Sequence, residues 1–243
     1  MRPKFTAKLV AAILALVLLV TTAGCTAPAA ENPTVTVTDQ LGRAVEVPRE
    51  VKRIVTTYYI STSIVLALGA GDRLVGVEMK ADTRPLYQQV APEVAQLPGV
   101  GTAKTMNIET VVQLEPDLVI VPVRMKEYIE KLEEQGIAVI AFGPEDLDSL
   151  ADAFLLMGEA IGAKEKGQEL AEYYQQKVSQ VKEVAAKTEE PLRVYLAGKD
   201  LLRTCTREMY QHTIISLAGG DNVSGEIETG YWANVSLEQV LKW

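Results

Sequence analysis

Cysteine and histidine are scarce in this sequence. Its 243 residues include two cysteines and one histidine, which is too few for a disulfide framework. Cys205 is therefore expected to be a small buried or half-buried side chain. His212 alone cannot form the histidine-rich cage that holds a bare zinc or manganese ion, and at the start of an apolar helix it is expected at the surface or in a cap.

The common catalytic motifs are also missing. The chain has no GxSxG elbow, no phosphate-binding GxxxxGK[ST] loop and no CxxC pair. These absences favour a binding protein over an enzyme, although a cryptic enzyme stays open as an alternative class.

The N-terminus has the layout of an export signal. Three basic residues precede an apolar run of twelve residues, Leu9–Val20, whereas a membrane-spanning helix needs about 20. The segment Thr22-Ala23-Gly24-Cys25 resembles the bacterial lipobox, in which the cysteine is acylated. We predict a lipoprotein signal peptide at 1–24, lipidation of Cys25 and a flexible tether at 25–33. The alternative is an ordinary signal peptide cut beside Ala23.

The charge balance excludes one class of partner. Beyond the signal the chain carries 21 basic and 32 acidic residues, a net charge of −11. Such a surface does not neutralise phosphates, so no nucleic-acid partner is expected. The balance suits a soluble domain held near a membrane surface without lying on it. We expect a monomer at the extracytoplasmic face of the cell membrane.

Strand and helix patterns alternate through the first half of the chain. TVTVTD and RAVEVP alternate apolar and polar residues around a turn and predict a β-hairpin. The apolar runs RIVTTY, LVGV, DLVIVP and IAVIAFG then predict buried parallel strands, and the segments between them have helical spacing. We predict an N-terminal α/β lobe at 34–146 with a leading hairpin.

A long helical segment follows at 147–190. Its second helix, predicted from Lys164 to Lys187, spans about 36 Å, which exceeds the width of one small lobe. We expect this helix to be a spine that joins two lobes. LRVYLAG then predicts the first strand of a second α/β lobe at 191–243.

Two segments of the first lobe recur in the second, in the same order. LGAGDRLVG at 68–76 aligns without gaps on LAGGDNVSG at 217–225, and NIETVVQL at 107–114 aligns on SLEQVLKW at 236–243. This repetition predicts duplicated lobes. The first lobe continues from this point into another strand whereas the chain ends at Trp243, so the second lobe is expected to be incomplete and the chain to be C-terminally truncated.

The repeat places two glutamates equivalently. Asn107 and Ser236 are suitable N-caps, so Glu109 and Glu238 are each expected in the first turn of a helix. One interpretation is macrodipole complementarity, which contributes about 0.3–1 kcal/mol. The other is a pair of exposed carboxylates, one per lobe, presented to a basic partner.

Taken in order, these motifs resemble the substrate-binding lipoproteins of ABC importers for ferric siderophores, corrinoids and haem. The similarity covers nearly the whole chain after the signal. It implies two α/β lobes that hold a metal chelate in the cleft between them, with no cofactor and no metal bound by the protein itself. It also implies a partner, an ABC permease dimer with its ATPase, whose arginines meet Glu109 and Glu238.

The ligand is expected in the loops after the strands, where open α/β sheets bind ligands. Cations beside aromatic rings suit an anionic planar or catecholate ligand, and a ferric siderophore fits best. A corrinoid, haem with Met79, His212 or a tyrosine as axial ligand, and molybdate held by backbone N–H groups are the alternatives. A purely structural lipoprotein is the remaining class. The candidate ligand-binding residues are Tyr58, Tyr59, Met79, Lys80, Arg84, Arg124, Lys199, Arg203, Arg207, Tyr210 and Trp232.

Overall fold

The predicted β-hairpin is the first element of the structure, a computed structural model that describes residues 33–144 and 146–243. Strands β1 (Thr34–Thr38) and β2 (Ala44–Pro48) pair antiparallel. Their valines alternate with polar residues and turn into the core, so one face of the hairpin is buried. The predicted signal peptide, Cys25 and all but the last residue of the predicted tether lie outside the described residues.

A five-stranded parallel sheet forms the centre of the first lobe. Its strands lie in the order β5-β4-β3-β6-β7, and every neighbouring pair is parallel. The predictions for β3, β4, β6 and β7 are confirmed. Strand β5 was not predicted, because Val100 is its only apolar side chain. The bounds are β3 (Ile54–Thr56), β4 (Leu74–Glu78), β5 (Gly99–Gly101), β6 (Leu118–Pro122) and β7 (Ala138–Phe142).

Helices cover both faces of this sheet. Leu118 and Ile120 pack into one hydrophobic cluster while Val119 and Val121 pack into another, since successive side chains of a strand point to opposite faces. A strand buried on both faces reads as a continuous apolar run, which is why the sequence signal was clear. The helices of this lobe are α1 (Tyr59–Ala67), α2 (Pro85–Val90), α3 (Ile108–Gln113) and α4 (Lys126–Glu133).

Two packed helices lead out of the first lobe. Helix α5 (Leu147–Ala160) begins with a capping box formed by Asp146 and Ser149. Helix α6 (Lys164–Ala185) has 22 residues, which gives a length of about 33 Å, and it is the predicted spine. A Cβ built on Gly167 would lie 2.6 Å from the carbonyl oxygen of Phe154. The two helices therefore approach each other as closely as glycine allows. Among the described helices, none is both long and apolar enough to cross a membrane.

The second lobe contains two short pairs of strands and two helices. Strand β8 pairs parallel with β10, and β9 pairs antiparallel with β11. The prediction of a strand over all of LRVYLAG was wrong, since only its Arg193–Val194 portion is a strand. Beyond Val194 the chain leaves the register of β10, and the Tyr195 hydroxyl donates to the carbonyl of Leu201. The bounds are β8 (Arg193–Val194), β9 (Arg203–Cys205), α7 (Tyr210–Leu217), β10 (Asp221–Asn222), β11 (Trp232–Asn234) and α8 (Leu237–Lys242).

The fold is thus α/β, with two lobes joined by one long helix. Each lobe has a parallel strand–helix–strand unit, β3–α1–β4 in the first and β8–α7–β10 in the second. Gly69, with φ +76°, lies two residues beyond the end of α1, and Gly219, with φ +81°, lies two residues beyond the end of α7. Both glycines close the helix with the same hydrogen-bond pattern, and the left-handed φ favours glycine. The gapless alignment, which paired Gly69 with Ala218, is therefore displaced by one residue at this turn.

Candidate ligand-binding site

The strand order of the first sheet reverses direction between β3 and β6. From β3 the chain continues outward through β4 and β5, and it then returns to add β6 and β7 on the other side. Open α/β sheets bind their ligands at the carboxyl ends of the strands beside such a reversal. Tyr58 follows β3 there and Arg124 follows β6.

Four candidates meet at this edge. The rings of Tyr58 and Tyr59 stand edge to face, with centroids 5.0 Å apart. The Arg84 guanidinium carbon lies 4.5 Å from the Tyr59 centroid, and that of Arg124 lies 5.4 Å from the Tyr58 centroid. Cation–π attraction holds each guanidinium against a ring. The result is a tyrosine pair with one arginine on each ring, which we call the Arg–Tyr cluster (Tyr58, Tyr59, Arg84 and Arg124).

A buried glutamate supports the Arg–Tyr cluster from below. Glu78 is the last residue of β4 and is 4 % exposed. Its carboxylate accepts from Arg84 Nε at 2.7 Å and from the Tyr87 hydroxyl at 2.9 Å. Burial and the negative charge of Glu78 raise the pKa of Tyr87 to about 12. Tyr87 therefore keeps its proton and acts as a donor to the carboxylate.

Sequence reasoning missed Glu78 and Tyr87 as parts of this site. A signal was present, because Glu78 ends the otherwise apolar run LVGVE and a buried carboxylate requires partners. Tyr87 gave no signal of its own, since the pattern does not distinguish a buried hydroxyl donor from a packing aromatic residue.

The remaining first-lobe candidates lie at the same edge. Met79 and Lys80 directly follow β4, and both are exposed. Lys80 has φ +67°, a left-handed conformation that turns the chain sharply at the end of the strand. Arg124 Nε donates to the carbonyl of Ala103 at 3.0 Å, just beyond β5. Side chains and loops from β3, β4, β5 and β6 thus converge.

The second-lobe candidates form a looser group. The guanidinium carbon of Arg203 lies 5.7 Å from the ring centroid of Trp232. Arg207 Nε donates to the carbonyl of Gly225 at 2.9 Å, and the Tyr210 hydroxyl lies 3.2 Å from that of Tyr174 on α6. Lys199 is exposed. The aromatic–cation pairing of the first lobe therefore recurs once here, in Arg203 and Trp232.

The expectation that all candidates occupy loops was wrong for four of them. Tyr59 and Tyr210 are the first residues of helices α1 and α7, while Arg203 and Trp232 belong to strands β9 and β11. Helix α1 begins two residues earlier than its apolar pattern indicated, because Tyr58 serves as the N-cap with an extended backbone.

His212 and Cys205 were also discussed in the sequence analysis, although they are not among the candidate ligand-binding residues. His212 is half-buried, and its Nδ1 lies 3.2 Å from the Asn222 side-chain amide. This contact engages one of the two ring nitrogens, Nδ1. Cys205 is fully buried, as expected, and burial raises the pKa of its thiol. Within residues 33–144 and 146–243 no group of three or more histidine, cysteine or acidic side chains is arranged to hold a metal ion.

Glu109 and Glu238 occupy matching places in the two lobes. The Asn107 side chain accepts from the N–H of Thr110 at 3.1 Å, and the Ser236 hydroxyl accepts from the N–H of Gln239 at 3.1 Å. Both predicted N-caps are thereby confirmed. Each glutamate lies two residues after its cap, in the first turn of its helix, and is exposed.

Comparison with known proteins identifies the family to which this chain belongs. A family model described as "Periplasmic binding protein" matches residues 54–243. The vitamin B12-binding protein of Vibrio cholerae is 29% identical over 201 residues, which cover 80% of this chain and 68% of that protein. The molybdate-binding protein MolA of Haemophilus influenzae is 28% identical over 232 residues, which cover 85% of this chain and 66% of MolA. The chain thus spans about two thirds of the length of these relatives.

Solved structures agree with the fold described above. The structure of MolA bound to molybdate matches with a TM-score of 0.77 and 26% identity, and the match covers 86% of this chain and 71% of that one. The periplasmic haem-binding protein RhuT from Roseiflexus sp. matches with a TM-score of 0.66 and 25% identity, covering 79% of this chain and 73% of RhuT.

Proposed function

Because the chain belongs to the periplasmic binding protein family, we propose that it captures a metal chelate between its two lobes and delivers it to an ABC permease. The family is one of extracytoplasmic solute-binding proteins, and the chain is accordingly not an enzyme. According to their names, the relatives bind vitamin B12, molybdate or haem. All three ligands contain a metal.

One observation carries the proposal for this chain. The Arg–Tyr cluster lies at the carboxyl edge of the sheet beside the reversal of strand order, with Arg84 and Arg124 each against one tyrosine ring. Arginines offer fixed N–H donors to anionic oxygens, while the aromatic rings offer flat apolar surface. An anionic chelate with planar aromatic parts satisfies both kinds of group.

A ferric siderophore of the catecholate type is the ligand that this chemistry fits best. Its iron is already enclosed by the chelator, so the protein needs no metal-binding group of its own. Its negative charge matches the two arginines, and its catechol rings match Tyr58, Tyr59 and Trp232. A corrinoid and haem share parts of this chemistry.

Molybdate is the second candidate ligand, and the likeness to MolA favours it. A small oxyanion needs donors only, so it makes no use of the paired rings. Loss of the tyrosine rings therefore separates the two ligands, since it weakens the binding of a catecholate chelate and leaves the affinity for molybdate nearly unchanged.

Delivery and anchoring complete the proposal. The exposed carboxylates of Glu109 and Glu238, one per lobe, are proposed to dock on basic residues of the permease dimer. An acylated Cys25 is proposed to tether the protein, as a monomer, to the outer side of the cell membrane. Holding the protein at the surface keeps it near its permease.

A binding panel tests the proposed function. Ferric tris-catecholate, cyanocobalamin, haemin and molybdate are titrated into the protein, with tryptophan fluorescence and calorimetry as readouts. Both tryptophans, Trp232 and Trp243, lie in the second lobe, so quenching reports ligand contact with that lobe. Saturable binding of the ferric catecholate without turnover supports the proposal. Tight binding of molybdate alone would identify molybdate, and not a ferric siderophore, as the ligand. Binding of none of the four refutes the proposed function.

A further inference from the structure

A buried acidic side chain lies next to the proposed anion site, and this placement needs an explanation. The Glu78 carboxylate is 4 % exposed, and a negative charge in that position repels an anionic ligand. Burying a carboxylate is costly unless it is fully hydrogen-bonded. Glu78 meets this condition with three donors, namely Thr62, Arg84 and Tyr87.

The hydrogen bonds around Glu78 have a defined direction. Thr62 Oγ1 lies 2.7 Å from Glu78 Oε2 and 2.7 Å from Thr56 Oγ1. An ionised carboxylate only accepts, and each threonine hydroxyl has one proton. Thr62 therefore donates to Glu78, and Thr56 donates to Thr62. Residues from β3, α1 and the α2 region thus hold the carboxylate in one orientation.

Arg84 is held by this carboxylate through one edge of its guanidinium. Its Nε donates to Glu78 Oε1 at 2.7 Å, and its side chain is 37% exposed. The face of the group lies against Tyr59. In the described structure the Nη1 and Nη2 groups make no hydrogen bond, so the outer end of the guanidinium presents its N–H donors as a fork.

We infer that Glu78 is a positioning residue for ligand binding, which fixes Arg84 so that its terminal nitrogens grip an anionic oxygen pair of the ligand. The inference rests on the proposed function. An arginine held at one edge and one face has already lost most of its rotamer freedom, so binding costs less entropy. The buried Glu78 negative charge is offset by the arginine that it holds.

Equilibrium binding of ferric tris-catecholate and of haemin, whose carboxylates offer oxygen pairs, tests the inference. Arg84→Ala is expected to lower the affinity for whichever probe binds more tightly by about ten-fold or more, because a charge-assisted contact is lost. Arg84→Lys keeps the charge but loses the fork, and it is expected to bind as weakly as Arg84→Ala. Wild-type affinity in Arg84→Lys would mean that charge alone matters, and it overturns the inference.

Variants of Glu78 separate positioning from general stability. Glu78→Ala is expected to lower the affinity for the probe several-fold. The double variant Glu78→Ala/Arg84→Ala is expected to match the affinity of Arg84→Ala within about two-fold, because Glu78 acts only through Arg84. Glu78→Gln retains an acceptor for Arg84 Nε and is expected to restore most of the affinity. Glu130→Ala is the matched control, since it removes an exposed glutamate on α4, away from the Arg–Tyr cluster. Its affinity should stay near wild type, and additive losses in the double variant overturn the inference.

A ligand-free measurement keeps this test separate from that of the proposed function. In wild-type protein the Arg84 Nε–H should give a slowly exchanging ¹⁵N NMR signal, and Tyr87→Phe should retain it. Fast exchange in the wild type overturns the positioning role. If Glu78→Ala fails to fold, this signal and the Arg84→Lys affinity still decide the question. Absence of binding in the whole ligand panel refutes the proposed function, while the signal reports on Glu78 and Arg84 independently.

Discussion

Tyr58 and Tyr59 are consecutive in the chain, yet their rings stand edge to face at 72° with centroids 5.0 Å apart. Neighbouring side chains of a strand point to opposite faces, and those of a helix diverge by about 100°. Here Tyr58 is the extended N-cap of α1, with φ −145° and ψ 129°, and Tyr59 is its first helical residue. The change from strand to helix between the two residues brings both rings to the same edge of the sheet.

The second arginine of the Arg–Tyr cluster is expected to contribute to ligand affinity. Arg124→Ala should weaken ferric catecholate binding by about 1.5–3 kcal/mol, because a charge-assisted contact is lost. Lys177→Ala is the matched control, since Lys177 Nζ lies 5.2 Å from the ring centroid of Tyr173 on the exposed surface of α6. Calorimetry measures both, and equal effects of the two substitutions would contradict the binding role of Arg124.

Charge reversal at Glu109 is expected to separate capture from delivery. Glu109→Arg should leave chelate affinity nearly unchanged, while uptake through the permease in reconstituted vesicles should fall strongly. Some stability is lost as well, about 0.3–1 kcal/mol, because the glutamate complements the helix dipole. Glu130→Arg, an exposed substitution on α4, is the control and should transport normally. A large loss of ligand affinity in Glu109→Arg would instead place this residue in the binding site.

Cys25 is predicted to carry the membrane anchor. Cys25→Ser should move the protein from the membrane fraction to the soluble fraction, because the acyl chains provide the attachment. Fractionation with immunoblotting, and the mass of the released protein, test this. Retention at the membrane with residues 1–24 still attached would contradict the predicted processing.

The close approach of α5 and α6 is expected to make Gly167 intolerant of a side chain. A Cβ at this position meets the Phe154 carbonyl oxygen at 2.6 Å and Gly158 Cα at 3.1 Å. Gly167→Ala should therefore lower the free energy of unfolding by about 1–3 kcal/mol, although alanine ordinarily stabilises a helix relative to glycine. Ser179→Ala on the exposed face of α6 should be neutral or slightly stabilising. Chemical denaturation measures both, and a more stable Gly167→Ala protein would refute the close packing.

The raised pKa of Tyr87 predicts a loss of stability in alkaline solution. The unfolded tyrosine loses its proton near pH 10, whereas the folded one keeps it to about 12. Between these values the folded state binds more protons, so the free energy of unfolding falls as the pH rises, by about 2–3 kcal/mol in all. Tyr87→Phe has no hydroxyl at this position, so its free energy of unfolding lacks this dependence on pH. The stability difference between wild type and Tyr87→Phe should therefore shift against the wild type from pH 10 to 12, and a constant difference would contradict the raised pKa.

The sequence by itself determined the elements whose signal is local. Strands β6 and β7 are buried on both faces and so appear as unbroken apolar runs, and the long helix α6 has a clear apolar stripe. The caps at Asn107 and Ser236 depend on one side chain and the backbone a few residues away. Repetition within the chain also predicted two similar lobes.

Only the tertiary structure decided what depends on distant partners. Strand β5 holds one apolar side chain, and it is a strand because β4 lies beside it. LRVYLAG has a strong β pattern but pairs over only two residues with β10. The role of Glu78 depends on Thr62 from α1 and on Arg84 and Tyr87 from the start of α2, two separate parts of the chain that meet at one carboxylate. Local patterns therefore predicted the lobes and the edge of the sheet at which we propose that a ligand binds, whereas the order of the strands in space determined which arginines and tyrosines meet there.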